Sequence, residues 1–485
     1  MRSAVPGDVA PGADRRVVAA AVAVPVVAAL CGASAALNPF APLALLAVVA
    51  LLVVGWRRPV LASVVVCAVV PAVAGLGRGV GIPGLKLSEL LLAGCAATLV
   101  LRVPARWRAM SGAEKALLLF AVCALGFGVH HAAAGTSDLE SLLRVGLQPM
   151  FLYLAWWTAS RGVDGERDVA TVVRWTLLVS TGPSLLAIAQ YFDLPGVRQT
   201  LIRLTGGDLL TASGDTFSRV TGPFPIWHSL GGYLILPTVI TVVMLLRRDA
   251  SVLRTRTLVV VLVLNATALV LSVTVTLLLW LPVAIVVAAV LAGRARRALL
   301  LLAVLGGVLF ALFPGILLDR AQDQATAASG AGGGLVPQTL AYRFLVWQRD
   351  YFPLLEQGAV AGVGNDLPDT VFFTSTENQF ITWALRGGIG LVVVGTLVIG
   401  ALVVRSARHA LAERRAGTTT GRGSTAMALV GIVGFLPATL MVWPYLTNAG
   451  LPATLFALSG AVLAGRPRGR PAVAVEPSRD VRVVT

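Results

Sequence analysis

A chain of 485 residues that is 57% hydrophobic and 13% charged, with a mean hydropathy of +0.84, lacks the polar side chains to cover itself in water. That excludes an ordinary soluble enzyme and makes lipid part of its solvent. The net charge of +16 comes from short clusters between apolar runs rather than one continuous face, which argues against a nucleic-acid partner.

The first apolar run, at about 17–37, follows Arg15 and Arg16. It is too long for the h-region of a signal peptide, and more runs follow, so it reads as the first transmembrane helix. Further runs fall at about 40–56, 60–76, 86–102, 114–131, 145–161, 169–191, 229–246, 256–271, 274–292, 298–318, 380–404, 426–444 and 447–464. The stretch Leu258–Leu291 holds enough residues for two spans, with Asn265, Ser272, Thr274 and Thr276 supplying polar atoms for a turn or a kink. The expected fold class is all-α: a polytopic transmembrane bundle of about fourteen helices with a partly helical outer-face loop. Residues 1–318 would carry helices 1–11, residues 319–379 a large extracytoplasmic loop, residues 380–464 helices 12–14, and residues 465–485 a disordered cytoplasmic tail.

Charge tests this arrangement. With both termini in the cytoplasm, 29 of the 39 basic residues fall on the inner side. The ten outside are Arg78, Lys86, Arg144, Arg198, Arg203, Arg219, Arg320, Arg343, Arg349 and Arg386. Fusing 256–292 into one span would invert the later loops and abolish the bias, so a helical hairpin is expected there. The cysteines Cys31, Cys67, Cys95 and Cys123 all sit in apolar runs without metal-ligand spacing, and read as small buried hydrophobes. Arginine far outnumbers lysine, and Ala, Val and Gly are abundant, a composition that fits a high-GC bacterial genome.

Two long segments lie on the expected outer face, at about 192–228 and 319–379. The second holds a flexible stretch around Gly330–Gly334 and then an amphipathic helix from Pro337 to about Gln357. Leu340, Phe344, Trp347, Tyr351 and Leu354 make one apolar stripe on it, which should lie on the bundle or on lipid headgroups. Gly358, Gly362 and Gly364 then break the chain into turns.

With no nucleotide loop, zinc motif or nucleophile elbow, and inner loops too short for a catalytic domain, any reaction belongs to the outer loops or a cavity between helices. No metal or cofactor is expected. Arg219 and Arg343 are suited to phosphate, which guanidinium binds through paired hydrogen bonds. Headgroup contact or a salt bridge, such as Arg343 with Asp350, would use the same residues. Arg386 lies inside a span, where charge usually faces a cavity or a partner. Asn378, Thr382 and Arg386 would form one polar stripe, and snorkelling to the interface is the alternative. Thr376 and Gln379 read as a capping box that puts Glu377 in the first helical turn. There its carboxylate could accept a proton from a sugar hydroxyl or serve only the helix end. His228 opens a span as a cap or hydrogen-bond donor. His130 and His131 read as surface histidines, Lys86 and Glu89 as a local pair, and Asp366 and Asp369 as solvated loop acids.

In order along the chain, Arg219-x-x-Gly222-x-Phe224 precedes a span, Arg343, Trp347, Gly362 and Gly364 follow in the large loop, and Glu377-Asn378-x-Phe380 with Gly387, Gly390 and Leu391 enters the next span. This series resembles the O-antigen ligase and polymerase superfamily, over roughly residues 219–391. The resemblance departs at Ser272–Val275, where relatives often carry an arginine, and at Glu377, where ligases commonly carry histidine. It implies metal-independent glycosyl transfer on the outer face of a bacterial cytoplasmic membrane. The donor would be an undecaprenyl-pyrophosphate oligosaccharide and the acceptor a glycan or lipid-linked glycan. On that reading Arg219 and Arg343 hold the pyrophosphate, Glu377 activates the acceptor, and Arg386, Asn378 and His228 contact substrate. Polymerase and ligase are not distinguished, and a polymerase leaves room for a chain-length regulator. A transporter or flippase of lipid-linked sugars is the rival reading, and a membrane scaffold a third.

Overall fold

The computed structural model describes residues 57–78, 86–102, 109–206, 219–315, 338–368 and 375–464, with isolated positions 55, 318, 322 and 371. The first two expected spans, the stretch Gly330–Gly334, Arg320, Asp369 and the C-terminal tail lie outside the described residues. Among the described residues all regular structure is helical. In chain order α1 covers Pro59–Val73, α2 Leu87–Arg102, α3 Gly112–Ala133, α4 Gln148–Arg161, α5 Glu166–Tyr191, α6 Val197–Thr205 and α7 Trp227–Arg247. Then come α8 Thr255–Leu271, α9 Val275–Leu291, α10 Ala295–Leu312, α11 Gln338–Val346, α12 Gln379–Ala416, α13 Gly421–Leu440 and α14 Leu451–Leu463.

Six of these (α3, α5, α7, α10, α12 and α13) are long and apolar enough to cross a membrane, while α1, α2, α8, α9 and α14 are shorter apolar helices. Helices suit such a chain because they satisfy every backbone group internally, away from water. The centre of the bundle is α7, 94% of whose apolar window is buried; α10, at 6%, is peripheral. Small residues set the closest approaches. Gly431 on α13 lies against the backbone of Ala284 on α9, and Gly460 on α14 against that of Trp156 on α4, leaving no room for a Cβ.

The expected hairpin at 256–292 forms as α8 and α9, which leave the turn Ser272–Thr274 between them, with Val273 at φ +48°. The 447–464 span begins later, at Leu451, because Thr447 and Asn448 belong to a turn. In the segment 192–228 the short helix α6 appears, which was not anticipated.

The helix expected from Pro337 to about Gln357 also differs from expectation. α11 passes through a π turn, Trp347–Tyr351, into a last helical stretch, Phe352–Gln357. Pro353 has no N–H to offer the Arg349 carbonyl, so the regular hydrogen-bond ladder fails there and the turn widens. The buried face becomes Val346, Trp347, Asp350 and Tyr351, packed on Val371, Ile381 and Leu385, while Phe344 is left 47% exposed. The helix therefore rests on the start of α12, with the Trp347 indole donating to the Thr376 carbonyl at 2.7 Å.

α12 is broken inside its length. Gly387 (φ −162°, ψ 26°) and Gly388 (φ +59°, ψ −162°) leave helical geometry. The loop segment 359–364 fills the gap. Val363 and Gly364 donate to the Leu385 carbonyl at 2.7 and 3.1 Å, and Ile389 donates to the Ala359 carbonyl at 3.0 Å. A Cβ on Gly388 would stand 2.0 Å from the Val360 carbonyl oxygen, and one on Gly362 2.3 Å from that of Leu385. The glycines of both stretches are thus required by one backbone-to-backbone contact.

Candidate functional site

The site is built around the entry of α12. Asn378 is its N-cap, accepting from the Phe380 and Ile381 amides at 2.9 and 3.2 Å. Its amide group also donates to the Met441 carbonyl at 3.1 Å. Both ends of the Asn378 side chain hold the fold together, and the helix starts at Gln379 rather than Thr376. Two overlapping cap signals stand in the sequence, and the asparagine cap displaces the Thr376–Gln379 capping box. The hydroxyls of Thr376 and Thr382 lie 2.6 Å apart, and both reach the Asn378 carbonyl.

This places Glu377 before the helix, not in its first turn, with φ +49°. A non-glycine residue there is unusual. The conformation brings its carboxylate to Arg343 of α11, whose Nε–H donates to Oε2 in an ion pair. Both side chains are partly open, 35% for Glu377 and 18% for Arg343. Asp350 is instead paired by the neighbouring Arg349 guanidinium, at 2.5 and 2.9 Å.

Arg386 lies on the same helix as Thr382, immediately before the glycine break. Three cavities share it as a wall residue, together with Thr447. One, of about 30 Å³, lies in the core beside Phe120 and Trp383. The second, of about 220 Å³, is lined by Arg78, Lys86, Glu89, Arg144 and Gln148. The third, of about 230 Å³, is lined by Asn365, Thr376, Thr382 and Asn448. Among the described residues no carboxylate pairs with Arg386. A half-buried guanidinium with no counter-charge among the described residues, where three cavities meet, has the chemistry to accept an anion.

Arg219 and His228 form a separate aromatic group. The Arg219 guanidinium sits 4.6 Å from the Trp227 ring centre, and the His228 ring stacks on Trp443 at 3.8 Å. Neither lines the three cavities.

Other expectations change. His131 is buried, with its ring nitrogens on the Ala361 carbonyl at 2.8 Å and the Thr136 hydroxyl at 2.9 Å. His130 remains exposed. Asp366 accepts from the Ser141 hydroxyl and from the Asp138 amide at 3.0 Å. Both contacts tie the segment around Asp366 to the turn that follows α3. Lys86 and Glu89 are not a simple pair: Glu89 receives the Arg78 guanidinium at 2.9 and 3.2 Å and only the backbone amide of Lys86.

Sequence reading missed Lys86, Arg144, Gln148, Thr447 and Asn448 as cavity walls. The available signal was the polar pair Thr447-Asn448 inside an apolar run; Gln148 donates to the Thr447 carbonyl at 2.8 Å. Among the described residues no three of His, Cys, Asp and Glu gather as a metal site. No protein-family model matches this chain, and no curated protein matches it either, so its likeness to the O-antigen ligase and polymerase superfamily rests on the motifs alone.

Proposed function

We propose that this protein transfers a glycosyl group from an undecaprenyl-pyrophosphate-linked oligosaccharide to a glycan or lipid-linked acceptor, as a polysaccharide polymerase or ligase. The reaction would take place on the outer face of a bacterial cytoplasmic membrane, in a bundle of about fourteen spans with both termini inside. The observation that supports this most is Arg386, a half-buried guanidinium without a carboxylate partner among the described residues, in the wall of three cavities. An anionic substrate supplies the missing counter-charge, and a pyrophosphate fits guanidinium geometry. The second support is the Arg343–Glu377 pair beside Thr376 of the third cavity.

In this reading Glu377 accepts the proton of the acceptor hydroxyl as its oxygen bonds to the anomeric carbon. The bond from that carbon to the pyrophosphate oxygen breaks, the electron pair leaves with the phosphate, and the anomeric centre inverts. Cationic side chains stabilise the charge that develops on the leaving group. The test is reconstitution of purified protein with an undecaprenyl-pyrophosphate oligosaccharide, following glycan length and released lipid pyrophosphate. Product growth is expected with the parent chain and none with Glu377→Gln; equal growth with that variant removes the catalytic assignment.

One observation favours the rival reading of a transporter or flippase: α12 is interrupted at Gly387–Gly388, next to Arg386. Broken helices with a charged residue at the break are a transporter device. Movement of lipid-linked sugar across vesicles without any change in glycan length would move the assignment to transport.

A further inference from the structure

The 220 Å³ cavity differs in character from its neighbour. Its wall carries four basic side chains, Arg78, Lys86, Arg144 and Arg386, against one acidic side chain, Glu89. Glu89 is already engaged by Arg78 in a two-bond ion pair, and Arg144 pairs with Glu140 on the exposed side. Among the described residues neither the Lys86 ammonium nor the Arg386 guanidinium is in an ion pair with a carboxylate. Ser88, Gln148, Thr447 and Asn448 add polar groups, and the rest of the wall is apolar, including Val70, Leu92, Phe151 and Ala155 from α1, α2 and α4. The 230 Å³ cavity has the opposite make-up. Hydroxyl and amide groups from Asn365, Thr376, Thr382 and Asn448 dominate it, and Arg386 is its one charged wall residue.

Two cations without an ion-paired carboxylate on one wall are costly to hold away from water. Such an arrangement is stable to loss of either charge and gains most from a ligand with more than one negative charge. An apolar wall beside the cations suits a ligand whose anionic group is joined to hydrocarbon. We infer that the cavity between α1, α2, α4 and α14 is the seat of a lipid-linked pyrophosphate, held by Lys86 and Arg386, and that the adjoining polar cavity receives the sugar attached to it. Arg386, shared by both, then marks the pyrophosphate–sugar junction. This rests on the glycosyl-transfer reading for its ligand class, and it moves the anion contact from Arg219 and Arg343 to Lys86 and Arg386.

The test is binding by the full chain in nanodiscs, read by native mass spectrometry, with undecaprenyl pyrophosphate as probe. Undecaprenol and inorganic pyrophosphate serve as competitors. Lys86→Gln and Arg386→Gln should each weaken binding about tenfold or more, the loss of one charge-assisted contact. Because each substitution removes a cation that is costly to bury, the ligand-free melting temperature should hold or rise, which separates lost binding from lost fold. Lys86→Arg should restore most of the binding. Unchanged affinity in both glutamine variants overturns the site. So does equal competition by undecaprenol, which would make the cavity a hydrocarbon groove, or by inorganic pyrophosphate, which would make it a soluble-anion site. If binding depends on Lys86 and Arg386 but no glycan forms, the site stands and the transfer reading falls. If glycan forms at the parent rate in both variants, the reverse holds.

Discussion

Glu377 holds a conformation that costs a glutamate energy, and it does so to meet Arg343. A left-handed backbone at a non-glycine residue costs of order 1–3 kcal/mol and marks positions where geometry matters more than stability. Asparagine tolerates that region better than glutamate. Glu377→Asn should therefore leave the melting temperature unchanged or slightly raised while removing the carboxylate and, with it, at least about a hundredfold of transfer rate. Thermal unfolding alongside a turnover assay reads both. A marked fall in melting temperature would instead make Glu377 a structural tie between the outer loop and α12. The residue types of this pair were legible in the sequence, and so was their order. Their contact was not, because the helix start moves by three residues when Asn378 rather than Thr376 takes the cap.

At the scale of elements, the break in α12 and the turn at 358–364 are one structure. The sequence presents Gly387-Gly388 within an apolar run, and an apolar run reads as an unbroken span because hydropathy averages over it. The carbonyl and amide groups that satisfy the break come from residues about 25 positions earlier, beyond any local pattern. Gly388 occupies a region of backbone space open almost only to glycine, with no room for a Cβ beside Val360. Gly390 is helical, and its nearest neighbour for a Cβ is Phe127 at 3.7 Å, an ordinary contact. Gly388→Ala should thus cost more than about 3 kcal/mol or release the outer loop, whereas Gly390→Ala should be neutral or stabilise by up to about 1 kcal/mol. Melting temperature and protease sensitivity of residues 338–368 distinguish the two. Equal behaviour of the two variants would mean that the loop does not depend on the break. The amphipathic stripe of α11 was legible in kind, but the π turn before Pro353 rotated which residues it buries.

At the scale of the molecule, the proposed arrangement puts 29 basic residues on one side and ten on the other, a bias that predicts a side for each end of the bundle. The helical hairpin at 256–292, which that bias required, is present as α8 and α9. The bias concerns orientation, and orientation decides which chemistry is available, since lipid-linked oligosaccharides for an outer-face enzyme meet no cytoplasmic nucleotide sugar. The loop segment carrying Arg343 and the entry to α7 lie at one end. Arg247, which donates to the Thr418 carbonyl at 2.6 Å, and Asp249, which accepts from the Ser424 hydroxyl at 2.6 Å, lie at the other. Gln357 and Ala250 are exposed positions at these two ends. In intact cells a membrane-impermeant maleimide should label Gln357→Cys above the background of the parent chain, and should label Ala250→Cys only after permeabilisation. Cys67 and Cys95 are buried and Cys123 is half-buried, so labelling is read as the excess over the parent chain. The opposite pattern would open the Arg386 cavities to the cytoplasm, where a donor presented on the outer leaflet cannot reach them, and the anion they bind would then have to come from inside the cell.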